Sequence, residues 1–265
     1  MGGLLGPAAQ VRGQWLQPAG EGGGGQVGGF RSTTCRSEGG EGAPDPVESL
    51  ESGYWEQFGG AFPRAATGYP GGDALRDACR ALRDTLEGQV LLPCLSLASV
   101  ALGMEEEELA TRWLEEGATA DQLRLARYRP EGQGGLLYGE HTDYDGFTFL
   151  WRNRTNGLQA RLGDSWVDLP LLPDSPDALL INLGDLMEAW TGGVWRSPRH
   201  RVAHTQGEGE LVSIVWFAGP HPSTRILPLP SPHLTDSTRE QMARHAITAG
   251  QHVTNKINKT FLSSS

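Results

Sequence analysis

Tyr138-Gly139-Glu140-His141-Thr142-Asp143-Tyr144-Asp145-Gly146-Phe147-Thr148-Phe149-Leu150 is the stretch on which the reading of this chain turns. It runs into a His-x-Asp pair, passes an Asp-Gly turn signal and resumes as an apolar strand. On an extended segment residues i and i+2 project to one side, so His141 and Asp143 can grip a single ion together. An imidazole and a carboxylate, completed by one distant histidine, are the donors of a mononuclear non-haem iron(II) site whose remaining positions stay open. Asp145 is a second carboxylate close by. In a chain with seven histidines one such pair carries little weight alone, and its surroundings decide.

Working outward, Ser197-Pro198-Arg199-His200-Arg201-Val202 supplies the distant histidine. His204 follows four residues later and faces the same side of a strand, so periodicity leaves both open. From Leu123 onward the pattern is of short strands: Phe147–Trp151, Leu158–Leu162, Trp166–Leu169, Leu179–Asn182, Arg201–His204 and Leu211–Phe217. Gly, Asp and Pro separate them, with Gly163-Asp164 as a tight connection. Many short strands with such turns predict a mainly β fold, a sandwich or jelly roll.

The order of Tyr138–Leu150, Gly157-Leu158-Gln159, Trp166–Pro170, Leu179–Asp185, Ser197–Val202 and Leu211–Phe217 resembles the isopenicillin N synthase-like family of Fe(II)/2-oxoglutarate-dependent dioxygenases. The resemblance runs from about residue 46 to 262. It implies a double-stranded β-helix (jelly-roll) core with flanking helices, and His141, Asp143 and His200 as metal ligands. His-Thr-Asp-Tyr selects Asp143 over Asp145, and Ser-x-x-His-Arg-Val selects His200 over His204. Asn182 and Asp185 fall in an Asn-x-Gly-Asp stretch and are expected to support the site or its turn rather than bind metal. The implied cofactors are Fe(II) and, as co-substrate, 2-oxoglutarate. The implied activity couples decarboxylation of the oxoacid to hydroxylation, desaturation or cyclisation of a small organic substrate, with O2 as the other partner.

The co-substrate half departs from the family. Its Arg-x-Ser motif, a guanidinium and a hydroxyl for the distal carboxylate, reads Leu211-Val212-Ser213 here. The Asn of an earlier contact stretch is Ala126, whereas Tyr128 is kept. Tyr128 and Ser213 are the candidate co-substrate residues. A buried carboxylate needs a cation, which another barrel arginine, Arg152, Arg154 or Arg161, would provide from a neighbouring strand. The alternatives are an iron oxidase that does not use 2-oxoglutarate, or a catalytically impaired or non-catalytic jelly-roll binding protein. A metal-independent hydrolase finds no Gly-x-Ser-x-Gly elbow.

The 265 residues suffice for a large core. Net charge of −10 and a pI near 5.2 argue against nucleic acid or an anionic membrane as partner. Cys35, Cys79 and Cys94 lack Cys-x-x-Cys spacing, and their odd count fits a reducing compartment. No apolar run spans a bilayer and no secretory or myristoylation pattern opens the chain, so a cytoplasmic location is expected.

Glycine, 37 in all, crowds residues 1–45; this segment is expected to be disordered, lacking apolar surface to offset its ordering entropy. A helical support region, incomplete relative to the family, is expected over 46–120, with Asp73 as a cap and Leu75, Cys79, Leu82 and Leu86 on one face. Pro93 should break or restart that helix, and a second should cover Glu105–Glu116. The jelly-roll domain is expected over 121–220. A C-terminal extension over 221–265 carries Val253, Ile257 and Phe261 at helical spacing, for docking on the core.

Overall fold

The computed structural model describes residues 29–32, 47–53, 72–128, 135–154, 156–172, 174–175, 177–203 and 209–262. The strands are β1 (Gly29–Ser32), β2 (Val47–Gly53), β3 (Ala120–Tyr128), β4 (Leu136–His141), β5 (Phe147–Arg152), β6 (Leu158–Leu162), β7 (Ser165–Asp168), β8 (Leu180–Leu183), β9 (His200–Ala203) and β10 (Leu211–Gly219). The α-helices are α1 (Gly72–Leu86), α2 (Leu92–Ala101), α3 (Glu108–Leu114), α4 (Asp185–Trp190), α5 (Asp236–Arg244) and α6 (Ala249–Leu262).

Two antiparallel sheets hold the strands. The larger has the order β1-β2-β3-β10-β5-β8, the smaller β4-β9-β6-β7. They face one another across an apolar interior in which Val47, Ala126, Tyr128 and Leu211 of the large sheet meet Leu137, Leu158 and Val202 of the small one. This is the jelly-roll core expected from the short strands. The β6–β7 hairpin closes across Gly163 and Asp164, and Gly163 adopts φ +59, a conformation that glycine takes without strain.

β10 lies in the middle of the large sheet with residues of both its faces buried, which is why it reads as a nearly unbroken apolar run. Leu123, Phe149, Trp216 and Ala218 point away from the small sheet and pack on the helices, against Leu91, Leu95, Trp113 and Trp190. Ser213 and Val215 alternate to the inner side. Arg83 of α1 and Asp121 of β3 join helices to sheet, with Nη2–Oδ1 at 2.6 Å, and Trp216 Nε1 donates to Asp121 Oδ2 at 2.6 Å.

Several elements depart from the sequence reading. Most of residues 1–45 lies outside the described residues, but Gly29–Ser32 form β1, zipped to β2 in register Phe30↔Leu50. Backbone pairing along the open edge of β2 orders this stretch, so composition alone misses it. The 46–120 region likewise opens on a strand rather than a helix: β2 pairs along β3 and buries Val47 and Ser49, so the barrel starts well before residue 121. Asp73 is in the first turn of α1, one residue past its Gly72 start. Pro93 restarts the helix without ending it: a π-helical turn over Glu87–Leu91 leads into α2, with Pro93 in its first turn, where a missing N–H costs little. The second helix is shorter than expected, Glu108–Leu114. No helix among the described residues is long and apolar enough to cross a membrane.

Candidate metal centre

His141 is the last residue of β4 and His200 the first of β9, and the two are direct cross-strand partners. Pairing adjacent strands of the small sheet thus brings together two imidazoles far apart in sequence. Asp143 follows two residues beyond the end of β4. One ligand atom from each of His141, Asp143 and His200 lies within 4.8 Å of the others. The ring centroids are 4.2 Å apart, and Asp143 Oδ1 lies 3.8 Å from His141 Nε2 and 3.7 Å from His200 Nε2. Three donors converge on one point from one side, leaving the opposite side for other ligands.

The remaining polar atoms of the trio are already occupied, so the free donors are defined. His141 Nδ1 faces the carbonyl of Gly139 at 2.8 Å and His200 Nδ1 that of Pro198 at 3.1 Å. Each carbonyl favours the proton on Nδ1 and an Nε2 lone pair toward Asp143. Asp143 Oδ2 accepts from Thr148 Oγ1 and Asn182 Nδ2, both at 2.7 Å, so Oδ1 is left for an ion. Thr148 and Asn182 are register partners on β5 and β8 and share the inner face. Burial alone would raise the Asp143 carboxyl, but the two imidazoles and these hydrogen bonds outweigh it and hold it below the usual range. Burial, then the neighbouring His200, drives His141 down to about 3, keeping it neutral and able to ligate.

The loop carrying Asp143 is stapled by the start of α4. The amides of Gly184, Asp185 and Leu186 donate to the carbonyls of Gly146, Asp143 and Asp145 at 2.9, 2.8 and 3.2 Å. This accounts for the Asn-x-Gly-Asp stretch: Asn182 supports the carboxylate, Gly184 permits close approach, and Asp185 starts the helix. Asp185 Oδ2 also accepts from Thr142 Oγ1 at 3.0 Å and meets Lys256 Nζ of α6 at 2.5 Å. Ser197 orients the approach to His200, its N–H reaching Glu188 Oε2 at 2.8 Å and its hydroxyl the Leu183 carbonyl at 3.2 Å. On the small sheet Glu140 pairs with Arg199 and with Arg161 at 3.3 Å; burial would raise its carboxyl, but these two arginines bring it below the ordinary value.

Of the candidate residues, His141, Asp143 and His200 come together, and His204 lies outside the described residues. Asp145 stands behind Asp143, and burial followed by the charges of Asp143 and Asp121 raises its carboxyl to about 7. Tyr128 and Ser213 both lie on the inner side of the large sheet, facing Leu211 and Ala126 across the ladder. Thr148, which the sequence reading passed over, touches Asp143 directly. Its only sequence signal is its place in the inward alternation of β5.

Residues 120–220 match the model of the 2OG-Fe(II) oxygenase superfamily. A gibberellin 2-beta-dioxygenase of Phaseolus coccineus is 35% identical over 144 residues, 52% of this chain and 42% of that protein. An oxoglutarate-dependent flavonoid 7-O-demethylase 1 of Ocimum basilicum is 36% identical over 159 residues, covering 59% and 41%. The chain therefore matches these curated relatives over less than half of their length. Among solved structures, a full-length Neurospora crassa protein in complex with alpha-KG superposes with TM-score 0.72 at 20% identity, over 86% of this chain and 74% of that one. A 2OG-Fe(II) oxygenase family protein from Caulobacter crescentus also gives 0.72 at 20% identity, over 94% and 80%. These structures share the fold of this chain, and its residues 120–220 are similar to the 2OG-Fe(II) oxygenase superfamily.

Proposed function

We propose that the chain is a non-haem iron(II)- and 2-oxoglutarate-dependent dioxygenase acting on a small organic substrate with O2. The observation that carries this reading is the convergence of His141 Nε2, His200 Nε2 and Asp143 Oδ1 within 4.8 Å, with every other polar atom of the trio hydrogen-bonded. Two imidazoles and one carboxylate are the donor chemistry iron(II) takes in such oxygenases. The relatives named as dioxygenases and the superfamily model support the same reaction class. Iron(II) held there with 2-oxoglutarate supplies oxygen activation coupled to loss of carbon dioxide from the oxoacid.

The protein's own part is positional. The Gly139 and Pro198 carbonyls fix the imidazole tautomers, and Thr148 and Asn182 fix which carboxylate oxygen is free. The apolar walls of Leu137, Leu158, Val202 and Leu211 exclude water from the barrel beside the site. The completeness of these supports disfavours the alternative of a barrel that merely binds. A cytoplasmic location is part of the same reading; burial raises the Cys94 thiol, consistent with an inert packing role.

The test is an anaerobic titration with iron(II) of the wild type and of His200→Ala and Asp143→Ala. Stoichiometric binding that both substitutions abolish supports the reading. An iron affinity unchanged in either variant overturns it.

A further inference from the structure

Arg152 closes β5 on the inner face of the large sheet and lies directly across the ladder from Ser213 of β10. Both are deeply buried, at 3% and 4% exposure. Among the described residues, Nε and Nη1 of Arg152 and Oγ of Ser213 have no hydrogen-bond partner. Only Nη2 is engaged, by the carbonyl of Leu169, and no described carboxylate pairs with the guanidinium. Burial lowers the pKa of Arg152, the signature of a cation desolvated without compensation. Such a group is strongly unfavourable unless a ligand completes it. Its three free N–H donors and the adjacent hydroxyl are what one carboxylate group would satisfy.

The location says which carboxylate. Thr148, Leu150 and Arg152 alternate onto one face, and Thr148 holds Asp143 by its hydroxyl. Four residues at about 3.3 Å each put the Cα of Arg152 roughly 13 Å along the strand from that of Thr148, a gap that an arginine side chain shares with a short bifunctional ligand. At position 211 a buried leucine packs into the apolar interior, with no cation to compete. Of the other two barrel arginines, Arg161 is drawn to Glu140 and Asp164, and Arg154 lies beyond the end of β5, where it donates to the Gly209 carbonyl, and is not the partner of Ser213.

We propose that Arg152 and Ser213 form the anchor for the far carboxylate of 2-oxoglutarate, so that the cation absent at position 211 is supplied from the neighbouring strand. The assignment rests on the oxygenase reading above. It makes Leu211-Val212-Ser213 half of a clamp whose other half is β5.

The experiment measures binding, not turnover. Protein loaded anaerobically with iron(II) is titrated with 2-oxoglutarate and with 2-oxobutyrate, which lacks the far carboxylate, following the metal-to-ligand charge-transfer band. Arg152→Met should weaken 2-oxoglutarate by about 10- to 100-fold, leaving iron affinity and 2-oxobutyrate affinity at wild-type values. Ser213→Ala removes only an unpartnered oxygen, so it should fold even where Arg152→Met does not. It should show the same ligand-selective loss, several-fold in size. Equal 2-oxoglutarate affinity in Ser213→Ala or Arg152→Met and wild type overturns the anchor, as does a loss shared equally by 2-oxobutyrate. A wild type that binds iron but gives no band with either oxoacid overturns the oxygenase reading itself, which separates the two failures.

Discussion

Asn182 donates from Nδ2 to Oδ2 of Asp143 at 2.7 Å, and in doing so leaves Oδ1 as the carboxylate's free oxygen. The bond crosses from β8 to the loop after β4, so it both orients the carboxylate and steadies its charge. Asn182→Ala should therefore weaken metal binding by about 10- to 100-fold, the usual effect of deleting a group that orients a ligand. A competition titration against a chelator measures it. The Thr148→Val variant should show a loss of similar size, and wild-type affinity in both would mean that Asp143 needs neither partner.

Gly184 permits the close approach of α4 to the metal loop. A Cβ there would overlap the backbone carbonyl of Asp145, whose carbon lies 2.8 Å from the Cβ position. Its φ of −98 is open to any residue, so space and not conformation demands glycine. Gly184→Ala must push the Asp143–Asp145 loop away from the α4 amides. The expected outcome is a lower melting temperature together with lost metal affinity, checked by thermal denaturation with and without iron(II). A variant of wild-type stability would show that the loop relaxes freely.

The metal trio was legible because its information is local: a two-residue spacing at the end of one strand and a histidine within a recognisable run. Asn182 and Asp185 were legible as supports for the same reason. Thr148 was not, since a threonine in an apolar strand is ordinary until the fold aims it at a carboxylate. Arg152 was one of three arginines; only the register, Ser213↔Arg152, turns it inward beside the serine. β1 and β2 escaped notice because edge pairing is a long-range backbone property that composition does not carry. α4 was hidden because Gly184-Asp185 reads as the turn that ends a strand, and the six residues Asp185–Trp190 are too few to show a helical period.

Asp145 makes stability depend on pH. Its carboxyl is raised to about 7 in the folded protein, by burial first and then by Asp143 and Asp121. Between the ordinary carboxyl value and 7 the folded state binds the proton that the unfolded state has released, so stability falls as pH rises through this window and levels off above it. Asp145→Asn mimics the protonated form. Its advantage over wild type in the metal-free protein should be small near pH 4 and grow to on the order of 2 kcal/mol above pH 7. That is less than the full shift would give, because the residue is partly exposed to solvent. Denaturant melts at several pH values check this, and a pH-independent difference would place the burden elsewhere.

The Arg83–Asp121 pair is the buried electrostatic joint between α1 and the sheet, with Trp216 Nε1 as a third member at 2.6 Å. Removing one partner breaks the buried pair and takes the acceptor from Trp216, so Asp121→Leu should destabilise by about 3–5 kcal/mol. Arg83→Met costs less, since Asp121 keeps the indole donor of Trp216. The double variant should recover much of the loss, because a buried ion pair contributes little over an apolar replacement of similar volume. The Trp216 N–H would still lack its acceptor, which caps the recovery at about 1–3 kcal/mol short of wild type. A double-mutant cycle from denaturant unfolding gives the coupling directly. Strict additivity of the two single losses would mean that the helices are held to the sheet by Trp113, Trp190 and Trp216 packing alone.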